Sequence, residues 1–222
     1  MKKKIISSVI FLIVATIISM LFQGFEIIDI VDTAFAFHPI FSAMERSDST
    51  LFLCIVWLVP MLIILSIAFA ELCDFFQKKI TYFVLRNRSY FNSYLFVSKK
   101  VCGIVAGNVL IYYLVTVFVS GQFDYLVNIR YIGEMIKYSV VLFLLWQILA
   151  VFYFVVQREV VITYYILIVI LLGSMSKDFF VSKTIMCQMI TSNLFSDIIL
   201  LVVCNISVIG IINMLLKSHR VR

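Results

Sequence analysis

The fold class this sequence predicts is an all-α integral membrane protein with six transmembrane helices, and three observations carry that prediction. Apolar residues make up 64% of the 222-residue chain, against roughly 45–50% in an ordinary soluble domain. Charged residues make up 14%, against about 25%. The apolar residues also come in blocks of 16 to 22, the length over which a helix crosses a hydrocarbon core of about 30 Å. A soluble globule this apolar could not cover its own surface with polar groups, and a disordered chain would be far more polar. Two prolines and seven glycines exclude collagen-like and low-complexity chains. A transmembrane barrel would alternate apolar and polar positions in short segments, a pattern this chain lacks.

The blocks are 5–22, 51–70, 101–120, 138–156, 160–175 and 195–216, within one membrane domain covering 1–222. Backbone groups in lipid must find partners within their own segment, so each block is expected to be a helix. The fifth block has 16 residues, so it tilts little or stops short of the far interface. The first follows Lys2, Lys3 and Lys4, which also suits a secretory leader. Its exit, Met20-Leu21-Phe22-Gln23-Gly24-Phe25, offers no small-x-small cleavage site, and the block is read as a retained span.

Basic residues set the orientation. With the N-terminus inside, the inner segments hold Lys2–Lys4, Lys78, Lys79, Arg86, Arg88, Lys99, Lys100, Arg158, Lys217, Arg220 and Arg222, which is 13 of the 18 basic residues. Arg46, Arg130, Lys137, Lys177 and Lys183 fall outside. Both termini are therefore expected in the cytoplasm. The net charge of +6 is accounted for by orientation and anionic inner-leaflet lipid, with no need of nucleic acid. The five cysteines form no disulfide framework and have no metal-ligand spacing.

The segment 71–100 is the most informative connection. It reads ELCDFFQKKITYFVLRNRSYFNSYLFVSKK. Phe75, Phe76, Ile80, Phe83 and Val84 recur at helical spacing; Arg86-Asn87-Arg88-Ser89 breaks the pattern; Tyr90, Phe91, Tyr94 and Leu95 resume it. The expectation is a helical hairpin along the inner membrane face with a basic turn reaching into the cytoplasm. The alternative is an interfacial hairpin whose bases touch lipid phosphates. On the outer side, the acids of 23–50 read as a solvated loop, and the apolar stretch of 176–193 reads as a re-entrant hairpin between the fifth and sixth spans. His38 stands beside Pro39 with no companion ligand.

Within the spans, Gly103 and Gly107 are spaced to let another helix approach closely. Asn108, Gln147, Asn205 and Asn213 are intramembrane amides, and Pro60 is placed to kink the second span. No charge lies at the centre of a span, which counts against an ion pump or voltage sensor. There is no G-x-x-x-x-G-K-[ST], no H-E-x-x-H and no G-x-S-x-G, so no catalytic site, metal or cofactor is expected on this chain.

Six spans, both ends inside, a long basic helical segment between the second and third spans, and a short fifth span before an apolar outer hairpin resemble the permease subunit of type 2 ABC exporters. The resemblance covers essentially the whole chain. Leu85-Arg86-Asn87-Arg88-Ser89-Tyr90, followed by Lys99-Lys100, is similar to that family's arginine–serine–lysine pattern at the coupling helix. Lys4 leads straight into the first span, where that family has an amphipathic helix, and no glycine stands near Ser89. The resemblance implies two permease chains, alike or different, over two separate ATPase subunits, with Arg86, Asn87, Arg88, Ser89 and Tyr90 at the contact. It implies outward movement of a hydrophobic or peptide substrate, as in bacterial antimicrobial-peptide export and immunity systems. The rival readings are a non-transporting immunity or assembly protein and the substrate-binding membrane subunit of a vitamin importer.

The orientation has a direct test. Cysteines introduced into 23–50, 121–137 and 176–193 are expected to react with an impermeant thiol reagent from outside sealed cells, and cysteines introduced into 71–100 are not. Labelling of 71–100 from outside reverses the assignment.

Overall fold

The computed structural model describes residues 50–78, 89–120, 123–127, 129–156 and 194–218. These residues are helical, with no strand among them. We label the helices α1 (Thr50–Lys78), α2 (Tyr90–Ser120), α3 (Ile129–Val156) and α4 (Leu194–Ser218). Each is long and apolar enough to cross a membrane. The expected spans at 5–22 and 160–175, the outer stretch 176–193 and the residues Arg86, Asn87 and Arg88 lie outside the described residues.

The helices are longer than the apolar blocks. α2 has 31 residues and α4 has 25, or about 46 and 37 Å at 1.5 Å per residue, against a hydrocarbon core of about 30 Å. The excess has a physical cause. Apolar run length reports where lipid begins and ends; a helix stops only where capping or backbone chemistry stops it. Nothing in Glu71–Lys78, Tyr90–Lys100 or Ile129–Lys137 is a breaker of that kind apart from Gly133, so the helices run through them. Pro60 lies inside α1 without ending it, as prolines do where neighbouring helices support the freed carbonyl.

This changes the picture of the segment 71–100. Its two described flanks are the last turns of α1 and the first turns of α2, each continuous with its spanning helix. Over these flanks the expected hairpin is helical and continuous with α1 and α2, and its turn lies outside the described residues. α2 starts where Ser89 caps it. The Asn92 N–H donates to Ser89 Oγ at 3.5 Å, and the Ser93 N–H donates to the Ser89 carbonyl at 3.3 Å. A serine in this position satisfies one of the helix's orphan donors. At its other end α2 leads into a 3-10 turn, Phe123–Leu126. Phe123 packs edge-on against Phe118 with centroids 5.6 Å apart, which folds the connection back over α2 and begins α3 at Ile129.

α3 is the centre of the described bundle and packs against α1, α2 and α4. Over its apolar stretch 56% of residues are buried, against 17% for α4, so α4 is applied to α3 and leaves most of its surface for another environment. α1, α3 and α4 run in one direction and α2 in the other. Their shared end carries Glu71, Tyr90, Lys100, Phe154 and Leu216, and is called the basic end below.

The three central helices are joined through Trp146, which is fully buried on α3. Its Nε1–H donates to the Ala68 carbonyl of α1 at 3.1 Å, using the second lone pair of a helical carbonyl. Its ring stacks on Tyr94 of α2, with centroids 6.0 Å apart and planes at 7°. Trp146→Ala is expected to cost about 3–5 kcal/mol by cavity formation. Trp146→Phe, which keeps a ring but loses the N–H, is expected to cost about 0.5–1.5 kcal/mol. Thermal unfolding in detergent checks the order native, Phe, Ala; equal midpoints for the two variants would assign no stability to the stacked ring.

Candidate functional site

The candidate site is the basic end, because it holds the roots of the segment that the sequence singles out. The roots are fastened at two levels. At the first, the Lys100 ammonium of α2 donates to the Glu71 carboxylate of α1. The two side chains retain 41% and 19% of their exposure, so the pair contributes at most about 1 kcal/mol and acts mainly to fix register. At the second level lies an aromatic layer. Phe76 of α1 meets Phe154 of α3 at 4.8 Å, and Tyr94 of α2 meets the same Phe154 at 6.0 Å. Phe69 of α1 meets Tyr153 of α3 at 5.7 Å, and Phe75 meets Phe96 across α1 and α2 at 6.2 Å. Edge-to-face pairs of this kind contribute about 0.5–1.5 kcal/mol each beyond their buried area. Leu72, Tyr94 and Val97 are buried within the same region. α1 and α2 therefore leave the bundle as a packed pair.

Ser89 and Tyr90 are the two coupling candidates that the structure describes. Ser89 is the N-cap of α2, a structural role that accounts for a serine at that position. Tyr90 is exposed. Together with Phe91 they face Asn213, Leu216 and Lys217 of α4 across a cleft of about 240 Å³. Lys217 lies in the last turn of α4, where a cation complements the carbonyl end of the helix. The basic end thus gathers the start of α2 and the ends of α1, α3 and α4.

Gly103 and Gly107 lie farther along α2. A Cβ at either would meet no described atom within 4 Å. Any helix that packs closely on them belongs to the rest of the chain or to another chain. The intramembrane amides are not brought into contact with one another by hydrogen bonds. Asn108 Nδ2 donates to the Ile104 carbonyl at 2.7 Å and Asn205 Nδ2 to the Leu201 carbonyl at 2.8 Å. Thr116 bonds back to Tyr112 in the same way at 2.8 Å. Each polar side chain is turned onto its own helix, where the donor is satisfied without a partner helix. Among the described residues no cluster of three His, Cys, Asp or Glu side chains is placed to hold a metal ion.

Sequence reading missed the Trp146 centre and the Glu71–Lys100 pair. The pair left a signal, an acid just after one apolar block and a base just before the next. Trp146 left none, because its partners are separated from it by dozens of residues.

Gln147 is fully buried, and neither amide atom has a hydrogen-bond partner among the described residues. An unbonded buried amide costs about 1–3 kcal/mol. Gln147→Leu is therefore expected to raise the thermal midpoint in detergent, by an amount equivalent to about 1–3 kcal/mol. A lowered midpoint would assign the amide a partner beyond the described helices.

A scan against protein-family models finds no match, and comparisons with the curated proteins and with the solved structures find none either.

Proposed function

We propose that this chain is the membrane-spanning permease subunit of an ATP-driven ABC exporter, with six spans, both termini cytoplasmic and ATP hydrolysis on a separate subunit. The substrate class is hydrophobic or peptidic, moved outward across a cell membrane. The observation that carries the reading is the packing of the two helices that frame the basic turn. α1 and α2 extend past the apolar blocks as a pair, and the Phe76–Phe154 and Tyr94–Phe154 contacts fasten both to α3. A displacement applied at Arg86–Ser89 then reaches three spanning helices together, as a rigid-body motion, because packed interiors transmit displacement poorly as local deformation.

Two further features support it. Val156 ends α3 at the basic end and Leu194 opens α4 at the opposite end, as a crossing over 160–175 requires. Between Val101 and Ser120, and between Tyr138 and Val156, there is no charged residue, so these two spans hold no ion-coupling group, which favours a driving energy supplied by a partner. In this mechanism two ATPase subunits bind beneath two permease chains. Closure of the ATPases on ATP pushes the turn, and the spans rock to open a path outward. The chain performs no chemical step. In this mechanism Arg86 and Arg88 offer fork-shaped donors to carboxylates or helix C-termini on the ATPase.

The test is charge reversal. Arg86→Glu and Arg88→Glu leave carboxylates where the partner expects guanidinium groups, a cost of about 2–5 kcal/mol for a buried contact. Membranes of the native host should yield an ATPase with a phosphate loop when the unaltered chain is purified. The double variant is expected to insert normally, lose that ATPase and lose coupled ATP turnover. Unchanged recovery and turnover would return the turn to contact with lipid phosphates and favour a membrane protein that only binds a partner.

A further inference from the structure

A groove of about 570 Å³ runs along the face of α2 toward α3 and α4, within the range of about 300–1,000 Å³ typical of small-molecule sites. We propose that it holds an anionic phospholipid, with the phosphate at Lys99 and one acyl chain along the apolar wall. The groove is lined on α2 by Asn92, Leu95, Phe96, Lys99 and Cys102, residues at helical spacing that share one face. Phe143 of α3 and Ile209 of α4 form the opposite side.

Charge selects the occupant. Lys99 and Lys100 are adjacent, yet only Lys100 reaches Glu71. Among the described residues no carboxylate pairs with Lys99, which is exposed and lines the groove. Position agrees with charge. The apolar run of α2 begins at Val101 and continues to Ser120, about 30 Å of helix. Lys99 directly precedes this run, and its long stem can lie along the apolar wall while the ammonium reaches toward the headgroups at the basic end. Asn92 lies two turns farther toward the basic end and offers amide hydrogen-bond groups along the same groove. Cys102, Phe143 and Ile209 lie on the hydrocarbon side, where a chain would run. A basic pocket between spanning helices is the arrangement that favours anionic headgroups over zwitterionic ones. An acidic protein segment would satisfy Lys99 equally, but it would have to bring its backbone polar groups to the hydrocarbon edge. This inference does not depend on the exporter reading.

The probe is a phospholipid with brominated acyl chains, which quenches tryptophan at short range. Trp146 stacks on the groove residue Phe143 with centroids 5.6 Å apart, so it reports on the groove in a Trp57→Phe background. The full chain is reconstituted in phosphatidylcholine nanodiscs, and brominated phosphatidylglycerol or brominated phosphatidylcholine is titrated in. Phosphatidylglycerol is expected to quench at lower mole fraction. Lys99→Ala is expected to weaken its apparent affinity about fivefold, Lys99→Arg to retain the preference, and Lys217→Ala, in the other cleft, to leave it unchanged. Equal quenching by the two lipids in the unaltered protein would overturn the proposal, because a groove filled by protein or without anion selectivity gives that result. A preference that survives Lys99→Ala would overturn it as well.

Discussion

Trp146 is the side chain on which the described bundle depends. Helices in lipid gain little from hiding apolar surface from one another, since lipid tails are as apolar as leucine, and association has to come from packing and hydrogen bonds. Trp146 supplies both at once. It sits on the helix that touches the other three, bonds to α1 through Ala68 and stacks on α2 through Tyr94. Phe143, one turn earlier, stacks on its other side. The aromatic layer toward the basic end continues the same device with Tyr153 and Phe154. The three helices are thereby held together at the basic end.

Polar chemistry in the bundle is arranged to leave the interior quiet. Asn108, Asn205, Thr116 and Ser139 each bond to a carbonyl one turn back on the same helix. Such bonds satisfy a donor without fixing a neighbour, so beyond contacts such as Trp146–Ala68 and Glu71–Lys100 the helix positions relative to one another are set by shape. Charge is kept at the rim, in the Glu71–Lys100 pair, in Lys99 and in Lys217.

Much of the fold was legible in the order of residues, and particular elements show where legibility ended. The blocks 51–70, 101–120, 138–156 and 195–216 fall inside α1 to α4 because hydropathy reads the hydrocarbon directly. The helices run past the apolar blocks at 71–78, 90–100 and 129–137; helical spacing marked the first two stretches as helical, but a polar helix and a polar loop have the same hydropathy, so it did not show that they continue the spans. Ser89 was singled out as a contact residue, and its hydroxyl is engaged in capping α2. The spacing of Gly103 and Gly107 marked a face open to close approach, and that face is uncovered among the described helices.

The sequence by itself determined that the chain is helical and apolar enough to cross a membrane, and where charge stands along it. Those properties follow from composition and periodicity, which are local, and from the requirement that backbone groups in lipid be satisfied within the segment. Only the tertiary structure decided that Trp146 meets Ala68 and Tyr94, that Lys100 is taken by Glu71 while Lys99 is left to the groove, and that the start of α2 faces the end of α4. The physical reason is that these contacts join residues far apart in the chain. Their energy depends on the angle and register at which helices cross, and any apolar helix face is compatible with many such registers until particular side chains interlock.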